Sequence, residues 1–146
     1  MRHWFIDTNV LIDFLADRQP FATEAHTIFR LAYAGEVRLY VASLSFSTAF
    51  YLIRRTLATA SPGTNVSLAA QQLLAKIKPL LTVVAVDDNV VSRALQAGYT
   101  DFEDAIQSFA AHSVPAIELI VTRNGKDFRM SQLPVAEPAS ALQLLR

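Results

Sequence analysis

The first fifteen residues, MRHWFIDTNVLIDFL, restrict the fold more than any other stretch of the chain. A strand-like apolar run, Trp4-Phe5-Ile6, stops at Asp7-Thr8-Asn9, and a second apolar run, Val10-Leu11-Ile12, begins at once. Asp, Thr and Asn favour helix starts because their side-chain oxygens accept orphan backbone N–H groups. The text therefore reads strand, acidic turn, helix. An open α/β sheet binds its ligands just outside the carboxyl ends of its strands, and Asp7 is expected there. Asp7 is thus either a helix cap or a functional carboxylate, and the rest of the chain has to decide.

Strand and helix patterns alternate from there on. After Asp17-Arg18-Gln19-Pro20, the spacing of Phe21, Ala25, Ile28, Phe29 and Ala32 predicts a half-buried helix, with Pro20 at its first position and Gly35 just past its end. Residues 36–41 read as a second strand, and residues 46–59 as a third helix with Phe50, Ile53 and Leu57 inward. Residues 59–65 form a loop by composition. Ser67 caps a helix that runs to about Lys78. The β-branched run at residues 81–86 predicts a strand buried on both faces of a parallel sheet. Asp87 and Asp88 offer caps for a helix that stops at Gly98. Asp101 to Asp104 open another helix, residues 118–122 form a fourth strand, and residues 123–127 a polar turn beyond it. A short strand at residues 133–136 and a helix at residues 139–145 complete the chain. This alternation implies right-handed crossovers and a parallel sheet with helices on both faces.

Several function classes drop out. At 146 residues and 52% hydrophobic content the chain is expected to be one domain, 1–146, with a real core. No apolar run reaches the roughly 18 residues of a membrane helix. Only three apolar residues separate Arg2-His3 from Asp7, too few for a secretory leader, so a cytoplasmic protein is expected. There is no cysteine, which excludes disulfides and thiolate metal sites. With 13 basic and 13 acidic residues, any nucleic-acid contact must use a local patch. Four glycines form neither a P-loop nor GxGxxG, and no GxSxG marks a serine hydrolase. His3, His26 and His112 lack metal-ligand spacing and are read as surface or packing residues.

What remains is acidic. Asp7 follows the first strand, Asp101 and Asp104 open a helix three residues apart, and Asp127 lies beside Asn124 beyond the fourth strand. In a parallel sheet these places lie along one edge. Carboxylates converging there repel one another without a cation. Such hard oxygen ligands suit Mg²⁺ or Mn²⁺, which can clamp a phosphodiester and activate water. The plainer readings are a helix start for Asp101 and a solvated turn for Asp127; Asp104, followed by Ala-Ile, already lies inside its helix.

The segments IDTNVLIDFL (residues 6–15), DFEDAIQSFAA (101–111) and IVTRNGKDF (120–128) resemble, in order and spacing, those of a PIN domain. The branch they are most similar to is that of the VapC-like toxins of type II toxin–antitoxin pairs. The resemblance implies a three-layer α/β/α sandwich around a parallel sheet of about five strands. It implies a Mg²⁺- or Mn²⁺-dependent ribonuclease acting on RNA, usually a homodimer and often held inactive by a small antitoxin protein. Carried over, Asp7 matches the first metal-binding Asp and Asp104 the third-motif Asp. Thr122, Asn124 and Asp127 match the final motif, whose acid falls at either of the last two positions. Thr8 and Asn9 match polar residues that steady the first Asp.

The chain departs from the family at one place. PIN nucleases usually carry a Glu early in the helix after the second strand. Here that helix begins Ser43-Leu-Ser-Phe-Ser-Thr48, the expected Glu falls at or near Thr48, and no acid occurs between Glu36 and Asp87. A hydroxyl is a weaker ligand and brings no charge. Ser43, Ser47 or Thr48 is left to orient a water, and Arg54 and Arg55 to contact phosphate. Two functions are therefore carried forward: a metal-dependent endoribonuclease, and a catalytically impaired PIN-fold protein that binds RNA or a protein partner without cutting.

Overall fold

Trp4 and Ile6 point to one face of the first strand and Phe5 to the other, the period-two alternation of extended chain. All three are wholly buried. At about 1.5–3 kcal/mol per buried large apolar side chain, they fix this strand, and with it the residue that follows. In the computed structural model, which describes residues 1–63 and 65–146, the strand is β1 (Arg2–Ile6). It lies at the centre of a five-stranded parallel sheet with β2 (Val37–Ala42), β3 (Leu81–Val84), β4 (Leu119–Val121) and β5 (Val135–Ala136). The order is β3-β2-β1-β4-β5. Phe5 pairs with Tyr40 on one side and Ile120 on the other.

The chain builds the sheet outward in two directions. From β1 it passes through α1 (Thr8–Leu15) and α2 (Ala22–Tyr33) to β2, and then through α3 (Ser43–Ala60) and α4 (Val66–Ile77) to β3. It returns across the other face through α5 (Asp88–Gln96) and α6 (Phe102–His112) to β4, and ends with β5 and α7 (Pro138–Gln143). Trp4, Ile6, Leu39 and Val121 form one core with α1 to α4 and α7. Phe5, Tyr40, Ala42 and Ile120 form the other with α5 and α6. The result is the α/β/α sandwich expected. Winding reverses between β1 and β4, and such a switch point leaves a crevice at the carboxyl ends of the two strands.

The differences from the sequence reading are local. The strand β3 is at the sheet edge, so Thr82 and Val83 are exposed rather than buried on both faces. Pro20 stands two residues ahead of α2 rather than at its first position. The helix α3 begins at Ser43, three residues earlier than its apolar pattern suggests, and runs to Ala60. Asn65, not Ser67, caps α4, its side chain accepting from the Leu68 amide at 3.1 Å. Thr64, within the predicted loop, lies outside the described residues. Asp87 caps α5 as expected, accepting from Val90 at 2.9 Å. No helix among the described residues is long and apolar enough to cross a membrane.

Candidate active site

Asp7 is the first residue beyond β1 and Thr122 the first beyond β4, so both stand at the switch point. The backbone closes across it, the Asp7 amide donating to the Val121 carbonyl at 2.9 Å. Asp7 holds the N-cap position of α1, but its side chain makes no capping hydrogen bond. Its carboxylate turns inward instead. Thr122 Oγ1 donates to Oδ2 at 2.7 Å, and Gln107 Nε2, from α6, donates to Oδ1 at 3.0 Å. The plain cap reading of Asp7 therefore fails on geometry: a capping carboxylate serves its own helix, and this one is held by two other segments.

Around Asp7 lies a polar cavity of about 160 Å³. The helix α1 contributes Thr8, Asn9 and Ile12; α3 contributes Thr48 and Leu52. The start of α6 contributes Asp101, Glu103, Asp104 and Gln107. Asp127, on the single 3-10 turn after β4 (Gly125–Phe128), and Asn124, just before that turn, also line it. Asp7, Asp104 and Asp127, separated widely in sequence, thus line one space. Asp101 lines it too, while capping α6 by accepting from the Asp104 amide at 3.0 Å. Thr48 faces the cavity from the place where the family's Glu is expected, bringing a hydroxyl only.

Other candidates are placed elsewhere. Ser43 Oγ accepts from the Val86 amide at 3.2 Å, so it ties the end of β3 to α3. Ser43 and Ser47 do not line the cavity, nor do Arg54 and Arg55, which are exposed further along α3. His3 bonds the Tyr40 hydroxyl at 2.8 Å, and His26 lies 3.1 Å from Asp17. A larger depression of about 400 Å³ beside Pro20, Phe21 and Pro138 gathers no comparable set of acids.

Three functional-looking residues escape the sequence reading. Glu103, half-buried, accepts the Thr8 hydroxyl at 3.0 Å, and Ser45 lies 2.7 Å from that hydroxyl. Gln107 bridges Asp7 and the Thr8 amide, accepting the latter at 2.9 Å. The only early signal for Gln107 is its spacing, three residues after Asp104 on one helix face. Asp13, fully buried, is gripped by Arg18 at 2.9 Å and Arg123 at 2.7 Å. Arg123 also stacks over Phe21, 3.7 Å from the ring centroid. This knot ties α1 to the segment that carries Asn124 and Asp127.

The electrostatics follow from crowding. Burial pushes the Asp7 carboxyl up, against the hydrogen bonds from Thr122 and Gln107 and the favourable field of the nearby Asn9 and Thr8 amides. Burial also raises Glu103, partly offset by the Thr8 hydroxyl, with Asp7 and Asp101 adding to the rise. Asp104 is pushed up to about 7, first by burial and then by the charges of Asp7, Asp101, Asp127 and Glu103. Like charges around a carboxyl disfavour its ionised form. A cation in the cavity would reverse that.

The donor set suits a hard divalent cation but is not a closed cage. Among the described residues no three acidic or histidine side chains stand close enough to enclose an ion between them. Mg²⁺ does not need that. It keeps several waters and is usually held by one or two carboxylates together with substrate phosphate. Residues of this kind around a solvent-reached cavity fit such an ion.

A family model described as PIN domain matches residues 3–126. Among solved structures, the chain is similar to DNA-bound VapBC from Salmonella typhimurium, with a TM-score of 0.67 and 15% identity over 94% of this chain and 99% of that one. It is similar to a toxin–antitoxin complex from Klebsiella pneumoniae, at TM-score 0.62 and 20% identity over 92% and 96% of the two chains. It is also similar to VapC20 from Mycobacterium tuberculosis, a sarcin-ricin loop cleaving toxin, at TM-score 0.56 and 18% identity over 80% and 86%. No curated protein matches it in sequence.

Proposed function

The chain belongs to the PIN domain family, and on that premise we propose that it is a Mg²⁺- or Mn²⁺-dependent endoribonuclease of the toxin type. The observation that carries this reading is the convergence of Asp7, Asp104 and Asp127 on one cavity at the switch point. That RNA is the substrate is supported by the sarcin-ricin loop cleaving toxin of the same fold. A small antitoxin partner is supported by the toxin–antitoxin complexes of the same fold. A homodimer belongs to the same reading.

Bound Mg²⁺ or Mn²⁺ would supply a Lewis acid that neutralises phosphate charge and lowers the pKa of water. Asp7 and Asp104 would hold it, with Asp127 lining the same cavity. Asp7 is suited to a fixed ligand because Thr122 and Gln107 lock both its oxygens in place; partners of this kind are commonly worth 10–100-fold in metal affinity or activity. Asn124 and Thr48 offer neutral polar groups to the phosphate or the attacking water. Glu103 brings a carboxylate that Thr48 lacks to the same cavity, and this favours a working nuclease over the impaired reading.

The test is cleavage of RNA by purified protein with Mg²⁺ or Mn²⁺ and with EDTA. Cutting that depends on the metal is expected; cutting that persists in EDTA overturns the reading. Calorimetric titration covers the second reading: a wild type that binds no Mn²⁺ at millimolar concentration and cuts nothing would be a binding protein. Glu103→Gln is expected to lower Mn²⁺ affinity and cleavage roughly tenfold with an unchanged fold, the effect of a supporting ligand. Wild-type values for both would remove Glu103 from the site.

A further inference from the structure

Asp127 stands on one side of the acidic cavity. Asp127 also lines a second cavity, of about 150 Å³. One wall is the turn between α5 and α6, with Gly98 and Tyr99; the other is the 3-10 turn after β4, with Lys126 and Arg129. Here the sign of the charge reverses. Lys126 and Arg129 are both exposed, and no described side chain pairs with either. They stand one residue before and two after Asp127, so the turn that presents the acid also presents two free cations.

The opposite wall is fixed rather than loose. Gly98, at φ +75°, turns the chain back after α5. The Tyr99 hydroxyl then donates to Ser108 Oγ at 2.8 Å, and its ring leans on Phe109 at 6.3 Å. Ser108 lies four residues after Asp104 on α6, and so on the same helix face. The Tyr99 ring is therefore held in register with Asp104. An aromatic wall opposite paired cations is a form that accepts a nucleotide of single-stranded nucleic acid, the phosphate on the cations and the flat base or ribose along the ring.

We propose that this second cavity is a substrate subsite, seating the phosphate next to the scissile one of a single-stranded RNA segment between Lys126 and Arg129. The proposal rests on the nuclease reading and adds what that reading lacks. A polyanion entering a pocket of carboxylates is repelled, and two unpaired cations beside Asp127 supply the missing attraction. It also moves the phosphate contact away from Arg54 and Arg55.

The test compares Lys126→Ala/Arg129→Ala with Arg54→Ala/Arg55→Ala. Affinity for a fluorescein-labelled single-stranded RNA is read by anisotropy from low to high salt, and cleavage is followed with Mn²⁺. The Lys126/Arg129 pair is expected to weaken binding and raise KM roughly tenfold, with kcat within about twofold and an unaltered melting temperature. Because single strands lose about 0.7 of a counterion per phosphate contacted, and the pair holds one phosphate, the slope of log affinity on log salt should flatten by about 0.7. The Arg54/Arg55 pair should change neither. Unaltered affinity and slope in the Lys126/Arg129 variant overturn the subsite even if the wild type cuts RNA. A wild type that binds RNA through this pair but never cuts keeps the subsite and overturns the nuclease. A wild type that binds no RNA overturns both.

Discussion

Asp7→Asn is expected to abolish metal-dependent RNA cleavage while leaving the protein folded and at least as stable as the wild type. Loss of partners that merely hold a ligand costs 10–100-fold, so loss of the ligand itself should cost at least about a hundredfold. The folded state should survive because the substitution is nearly isosteric and its hydrogen bonds can be re-formed. The Asn carbonyl can accept from Gln107 Nε2, which now donates to Oδ1 at 3.0 Å. Its amide can donate to Thr122 Oγ1, which already accepts from the Asn124 amide at 3.0 Å and has a second lone pair. The carboxylate whose burial penalises its own charged form disappears. Asp7→Ala behaves differently. It strands the Gln107 and Thr122 donors, at about 1–3 kcal/mol for each buried group left unsatisfied, and should melt lower. Cleavage, Mn²⁺ titration and thermal melts on the three proteins make the comparison. Retained cutting by Asp7→Asn would remove Asp7 from the chemistry; a collapse of its melting temperature would make Asp7 a structural residue instead.

The fold is legible in the sequence wherever a pattern is local. Trp4-Phe5-Ile6 reads as a strand because three consecutive apolar residues stop at a helix-starting triplet, and Asp101 reads as a helix start because its partner, the Asp104 amide, is three residues away. What depends on distant partners is not legible. That β3 ends at the sheet edge is decided by where α5 and α6 cross, not by its own β-branched residues. That the Asp7 side chain makes no capping hydrogen bond is decided by Gln107, 100 residues on, and Thr122, 115 residues on. Glu103 and Gln107 look like ordinary helix residues until α6 is laid beside α1, where they meet Thr8 across 95 and 99 residues. Asp13 looks like a surface acid until Arg18 and Arg123 close over it. The candidate acids Asp7, Asp104 and Asp127 are visible earlier because a strand end or helix start already places them on one edge. Of their supports, Thr122 is named in the sequence only through the family resemblance, and Glu103 and Gln107 are invisible because they act through space.

The same crowding predicts how stability should respond to pH. Asp104 has its carboxyl raised from 3.8 to about 7 in the folded protein. Between those values the folded state binds a proton that the unfolded chain releases, so stability falls as pH rises. The contribution is fully present below about 3.8 and is lost as pH passes about 7. Asp7 and Glu103, also raised, act in the same direction. Metal-free wild type should therefore melt higher at pH 6 than at pH 8, and Asp104→Asn should flatten that dependence. At pH 8 the variant should gain about 1–2 kcal/mol, or roughly 3–6 °C for a chain of this size, because a buried charge among like charges is gone. Millimolar Mg²⁺ should stabilise the wild type at pH 8 by linkage, since an ion that binds only the folded state draws the equilibrium toward it, and should do so far less for Asp104→Asn. Cleavage should follow the opposite course to metal-free stability, rising with pH as Asp104 ionises and becomes a ligand. If Asp104→Asn keeps the wild-type pH slope and responds equally to Mg²⁺, Asp104 is not the strained member of the cluster. If it gains stability and loses both cleavage and the Mg²⁺ response, the repulsion that costs the free protein stability is the same charge that would hold the metal.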